Sequence, residues 1–161
     1  MHESRLMRGV CRAVVVAGAV FGVALLSAGV ASADGSVQVK SRLGNWCLDT
    51  PSGNFNTATF VNACDGSPSQ RWDINSDGQI ESAAYPGACL TAGAVSMWQV
   101  TVFPCQMGGF NQHWNIHPNG QIEDSLGSCL TIVNGDAHPG APVRPFNCGF
   151  DGPAQEWDSV S

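Results

Sequence analysis

The sequence predicts an all-β domain made of three related units, on three observations. The tripeptide Gln-x-Trp occurs as Gln70-Arg71-Trp72, Gln112-His113-Trp114 and Gln155-Glu156-Trp157, with its copies 42 and 43 residues apart. Recurrence at a fixed period marks an internal repeat. A second repeat precedes each copy: Cys47-Leu48, Cys89-Leu90 and Cys129-Leu130 stand 23, 23 and 26 residues before the Gln. The third observation is that residues 34–161 lack helical periodicity, while Gly, Pro, Asn, Asp and Ser recur every eight to twelve residues, the pattern of many short strands.

In chain order, residues 1–33 read as an export signal. Arg5, Arg8 and Arg12 give a positive start, residues 13–30 are apolar or small, and Ala31-Ser32-Ala33 fits an A-x-A cleavage site. The expected mature chain begins at Asp34 and is secreted. A retained anchor is the rival reading, since about eighteen apolar residues nearly span a bilayer, but the small residues at the end of the run favour cleavage. Residues 34–161 then form one domain of three units, at about 34–76, 77–118 and 119–161. In the first unit, strands are expected at 46–50, 59–64, 70–75 and 79–82. The last two join across Ser76-Asp77-Gly78, a hairpin turn signal. Residues 37–42 resemble the segments from Gln79 and from Gln121, so the start of the domain supplies this fourth strand ahead of the first Cys-Leu. Three units that cannot each bury their own apolar face share one core.

Within Gln-x-Trp, strand periodicity would send Gln and Trp to one face and the middle residue to the other. The three Trp are expected in the core and the Gln amides on strand-end backbone groups, with Arg71, His113 and Glu156 toward solvent. Charge narrows the partners. After residue 33 the strong bases are Lys40, Arg42, Arg71 and Arg144 against twelve acids, which leaves no footprint for nucleic acid or anionic lipid. Six cysteines remain, and an even number in an exported chain indicates disulfides; sequence alone allows fifteen pairings. Equivalent units should make equivalent bonds, which selects Cys47–Cys64, Cys89–Cys105 and Cys129–Cys148. No Cys-x-x-Cys pair suggests zinc.

Cys-Leu, a second Cys and Gln-x-Trp, three times in register, resemble the ricin B-type lectin family, whose fold is the β-trefoil. The likeness runs over residues 35–161, and the leader and residues 37–43 resemble small secreted ricin-type lectins of mycobacteria in particular. The resemblance implies carbohydrate binding at up to three shallow pockets, with no catalysis, cofactor or metal. The family's pocket takes an Asp two residues after the first Cys, an aromatic two before the second, and an Asn just before the Gln. The first unit offers Asp49, with Asn62 in the aromatic slot, Phe60 as a substitute stacking face, and Ser69 for Asn. The second has Phe103 and Asn111, but Thr91 for Asp and Thr101 where the family often has Gln. The third has Phe146, with Thr131 for Asp and Ala154 for Asn.

The expected carbohydrate-binding residues are therefore Asp49, Asn62 and Gln70 with Phe103, Asn111 and Gln112. The partners are glycans of galactoside, xylan or arabinan type, including host or envelope glycoconjugates. Because every set is incomplete, binding is expected to be weak or avidity-dependent. A competing expectation is a trefoil whose sugar sites have decayed and which acts as a protein-interaction module or protease inhibitor through Phe55, Trp98, Phe110 and Phe150.

Three suggestive patterns carry less. The segment Asp73-Ile74-Asn75-Ser76-Asp77-Gly78 opens like a calcium loop but has Ala84 where a Glu is needed. His113 and His117 would lie ~13 Å apart on a strand, too far to share an ion. Glu81 and Glu123 fill the same slot in successive units, which suits a structural role over a hydrolytic pair.

Overall fold

A computed structural model describes residues 35–93, 99–107 and 109–161; the leader and Trp98 fall outside the described residues. The fold is a β-trefoil. The first unit contains β1 (Val37–Ser41), β2 (Trp46–Asp49), β3 (Thr57–Ala58), β4 (Phe60–Ala63) and β5 (Arg71–Ile74). The second contains β6 (Ile80–Ser82), β7 (Ala88–Ala92), β8 (Val100–Pro104) and β9 (Trp114–Ile116). The third contains β10 (Ile122–Asp124), β11 (Ser128–Ile132), β12 (Ala141–Asn147) and β13 (Trp157–Val160). All pairings between these strands are antiparallel.

Register makes the threefold relation explicit. Trp72 lies opposite Ser82, Trp114 opposite Asp124, and Trp157 opposite Ser41. Thus β1 does for the third unit what β6 and β10 do for the first and second, and the two ends of the domain are joined from Gln38↔Val160 to Ser41↔Trp157. Neighbouring units also meet at each Trp. The Trp114 and Trp157 amides donate to Gly78 O at 2.9 Å and Gly120 O at 2.8 Å, while Trp72 pairs with Val37. Gly78 has φ +78°, and a Cβ there would lie 2.5 Å from Trp114 O, so this close approach requires glycine.

The core is equally symmetric. Trp72, Trp114 and Trp157 are buried with Leu48, Leu90, Leu130, Val39, Ile80 and Ile122. Each indole N–H donates to the Leu carbonyl of its own unit: Trp72 to Leu48 at 3.0 Å, Trp114 to Leu90 at 2.9 Å, Trp157 to Leu130 at 2.9 Å. A buried indole is stable only when its N–H is paired. The disulfides are Cys47–Cys64, Cys89–Cys105 and Cys129–Cys148, one within each unit.

Two sequence expectations are revised. The motif glutamines end single 3₁₀ turns, Pro68–Gln70, Phe110–Gln112 and Gly152–Gln155, and the strand starts after them. The turn aims each amide back at the loop following the second cysteine, which a straight strand could not do. The middle residues of the tripeptides are half-buried rather than turned freely to solvent, because each position meets one carbonyl just before β1, β6 or β10, directly or through Arg42. Arg71 Nη1 donates to Ser36 O at 3.1 Å, and His113 Nδ1 approaches Asp77 O at 2.6 Å. A carbonyl only accepts, so that His113 nitrogen carries the proton. Glu156 has no proton to give. Arg42 takes over, reaching Asn119 O at 2.7 Å while held by Glu156 at 3.3 Å and Asp158 at 2.9 Å.

Candidate functional site

The site region of each unit is built on its glutamine. Gln70 Nε2 donates to Ala63 O at 2.9 Å and its Oε1 accepts from Asp65 N at 3.0 Å. Gln112 does the same with Pro104 O and Gln106 N, and Gln155 with Asn147 O and Gly149 N. The same Nε2 then reaches the residue two after the first cysteine: Asp49 Oδ2 at 3.3 Å, Thr91 Oγ1 at 3.0 Å, Thr131 Oγ1 at 3.0 Å. All three glutamines are fully buried. Gln70 and Gln112 thus stand behind their pockets and orient the residue in front.

That residue decides what each pocket can do. Thr91 and Thr131 accept from glutamine and pass their own proton to Cys89 O at 2.9 Å and Cys129 O at 2.7 Å, so both hydroxyls are satisfied within the protein. Asp49 has no proton to pass on. Its Oδ2 accepts from Asn62 Nδ2 at 2.9 Å as well as from Gln70, while Oδ1 is buried with no protein partner. The carboxylate is only 6% exposed. An unpaired buried acceptor costs ~1–3 kcal/mol.

Asn62 therefore holds Asp49, and its own Oδ1 accepts from Gly140 N at 3.0 Å. Phe60 lies directly opposite Asp49 on β4, half-buried, and Pro142 of the third unit sits opposite Phe60. The first unit so gathers Asp49, Asn62 and Phe60, backed by Gln70.

In the second unit the expected residues make other contacts. Phe103 meets Phe55 of the first unit, with ring centroids 6.0 Å apart and planes at 51°. Thr101 Oγ1 is buried without a partner. Asn111 makes no side-chain hydrogen bond among the described residues. It lines a cleft of about 220 Å³ with Phe110 and residues of the third unit, and Phe103 is not part of that lining. In the third unit Thr131 faces Arg144 across β11 and β12, and the Arg144 guanidinium sits 4.5 Å over Phe146. Phe146 meets Phe150 edge-on.

Of the other acids, Glu81 accepts from Gly87 N and Glu123 accepts from His117 Nε2, both at 2.6 Å. Asn75 Oδ1 caps the Asp77 and Gln79 amides, which accounts for the calcium-like spacing as a hairpin. Two ionisations are shifted. The Asp158 hydrogen bond, helped by Glu156, pushes the Arg42 guanidinium up. The Ser67 backbone N–H holds the Asp65 carboxyl down. Sequence reasoning missed Arg42 and Asp124. Asp124 had one signal, an acid in the slot that holds Ser41 and Ser82 in the other copies.

The trefoil repeats one glutamine brace three times, and in the first unit that brace holds a carboxylate whose other oxygen is buried without a partner among the described residues. Comparison with known proteins places it: residues 35–157 match the ricin-type β-trefoil lectin domain, and the chain belongs to that family, a class of carbohydrate-binding module. Proteins of Mycobacterium tuberculosis and Mycobacterium bovis, both named only as uncharacterized, are 46% identical over 160 residues, covering 99% of each chain. Among solved structures, the C-terminal half of an earthworm R-type lectin in complex with GalNAc has TM-score 0.67 at 20% identity, covering 78% of this chain and 98% of that one. The designed threefold-symmetric protein ThreeFoil has TM-score 0.68 at 22% identity, covering 80% and 99%. A non-toxic homologue of type II RIPs from Momordica charantia, in complex with α-methyl-D-galactoside, has TM-score 0.67 at 18% identity, covering 78% and 48%. These likenesses concern the fold.

Proposed function

We propose that this chain is a secreted, non-catalytic lectin whose principal glycan contact is Asp49, with Asn62 and Phe60 completing the pocket and Gln70 bracing it. The observation that carries the reading is the asymmetry of the Asp49 carboxylate: Oδ2 is fixed by two amide donors and Oδ1 is buried without a partner. A pyranose supplies the hydroxyl donor that Oδ1 lacks and an apolar C–H face for Phe60. Binding is weak and gains from multivalent display, because a single pocket with one carboxylate makes few hydrogen bonds. Family membership and neighbours solved with a galactoside and with GalNAc support galactosides as the first ligands to try, with xylans and arabinans next.

A glycan array with purified protein tests this. Binding to at least one of these classes, weakened about tenfold or more in Asp49→Ala, is the expected outcome. Silence across all three classes would sink the lectin reading. Secretion is tested separately, by the mass of the exported protein, which should begin at Asp34.

A second reading has its own observation. Phe55, Phe110 and Phe150 are 54%, 60% and 74% exposed, more apolar surface than a sugar needs. On this reading the scaffold captures a protein or protease, and a partner retained in excess free sugar would favour it.

A further inference from the structure

We propose that the cleft between the second and third units, which takes Asn111 from the second unit's expected set but is centred on Asp124, is a further site for one neutral pyranose ring. The choice of a sugar as occupant rests on the lectin reading above; the residues do not. The site exists because one of three equivalent positions has been opened. Ser41, Ser82 and Asp124 each stand opposite a motif Trp, and Trp46, Ala88 and Ser128 each precede the first cysteine of a unit.

In the segment before the second unit's Cys89, Tyr85 packs against the core, lies over Gly53 and donates its hydroxyl to Pro51 O at 3.2 Å. In the segment before Cys47, Leu43 and Trp46 pack against the core. The segment between Asp124 and Cys129 is two residues shorter than that between Ser82 and Cys89, carries no aromatic, and holds Leu126, 73% exposed, and the small Ser128. The remaining space is the cleft of about 220 Å³. Pockets for drug-sized ligands run from about 300 to 1,000 Å³, so this one suits a single ring.

Its chemistry is matched to a sugar. Asp124 is 6% exposed, and its Oδ1 is fixed by the Leu126 and Ser128 amides, both at 2.9 Å. Oδ2 has no partner among the described residues. The Asn111 amide, without a side-chain hydrogen bond among the described residues, also lines the cleft, and Phe110, Leu126 and Pro145 supply apolar wall. A fixed carboxylate oxygen and an amide recognise paired hydroxyls, while the walls take the C–H face. The buried negative charge disfavours an acidic sugar.

The test is an amide NMR titration of the labelled protein with methyl galactopyranoside, methyl xylopyranoside and methyl glucopyranoside, with glucuronate as the acidic control. The Gly93, Asn111 and Ser128 amides should move saturably with at least one neutral glycoside and not with glucuronate. Asp124→Asn keeps the Oδ1 acceptor and the turn, and should weaken the response about tenfold. Leu126→Tyr puts a larger ring on the cleft wall from an exposed position and should abolish it. Asp49→Ala should leave it unchanged.

The proposal is overturned if these amides stay still with every neutral glycoside, if they follow glucuronate, or if Leu126→Tyr binds like wild type. Movement confined to the Thr50 and Asn62 amides would reject this site and leave the Asp49 reading intact. Movement confined to the cleft would support this site and reject Asp49 as the principal contact.

Discussion

Two residues after its first cysteine, the first unit carries Asp49 and the third carries Thr131, and an identical glutamine amide points at both. The threonine closes its local network by donating to Cys129 O at 2.7 Å. The aspartate leaves one buried oxygen without a partner. The lesson is that the brace is common to all units, whereas readiness for ligand depends on whether the residue in front can satisfy itself. The second unit, with Thr91 donating to Cys89 O, sides with the third.

The largest expected effect comes from breaking what the units share. Trp72→Ala or Trp157→Ala should each lower stability by ~3–5 kcal/mol, read by chemical denaturation, because a large buried ring and its hydrogen bond are both lost. A Trp72→Ala cost under ~1 kcal/mol would contradict the shared core.

Next come the braces. Gln70→Ala and Gln155→Ala should each cost ~1–3 kcal/mol by the same measurement, since each leaves buried backbone groups unpaired. Only Gln70→Ala should also weaken glycan binding, through Asp49.

Exchanging the two front residues sharpens the contrast. Asp49→Thr should lose glycan binding while stability stays level or rises by up to ~1 kcal/mol, because the unpaired oxygen is gone. Thr131→Asp should cost ~1–3 kcal/mol, and thermal unfolding of both variants would reveal the opposite signs.

The smallest effect is at Asp65, whose carboxyl is held down by the Ser67 N–H beside the Gln70 brace. A depressed folded-state value contributes stability that is present above the unfolded-state pKa and is lost as pH falls through the folded one. Carboxyl NMR titration should place Asp65 below the ordinary aspartate value of about 3.9, with Asp65→Asn removing the acid-limb contribution.

Much of this was legible in the chain because repetition converts distance in sequence into place in space. Equal spacing paired Cys89 with Cys105 and put Trp114 in the core, and Gln38-Val39 could be matched to Gln79-Ile80 before β1 was seen to close on β13. The orientation of Gln70 was not legible, since a 3₁₀ turn and a strand are indistinguishable over three residues. Arg42 was hidden because its partners, Asn119, Glu156 and Asp158, lie on segments far along the chain. In the candidate site, Asp49 was found from family spacing, but the meeting of Phe103 with Phe55 and of Asn111 with the third unit needed coordinates, because neighbouring strands of different units decide which loops meet. Asp124 broke the repeat visibly, yet whether an odd residue faces a cleft depends on what fills the neighbouring space, and the segment that carries Tyr85 in the second unit is two residues shorter in the third and has no aromatic.

The central claim, that of the three residues two after a first cysteine only Asp49 is left to a ligand while Thr91 and Thr131 are satisfied within the protein, is tested most directly by calorimetric titration of one glycan that binds, against wild type, Asp49→Asn, Thr91→Val and Thr131→Val. Thr91→Val and Thr131→Val should bind as wild type does, and Asp49→Asn should lose about tenfold or more in affinity with an unchanged thermal midpoint. Wild-type affinity in Asp49→Asn, or an equal loss in Thr131→Val, would contradict the account.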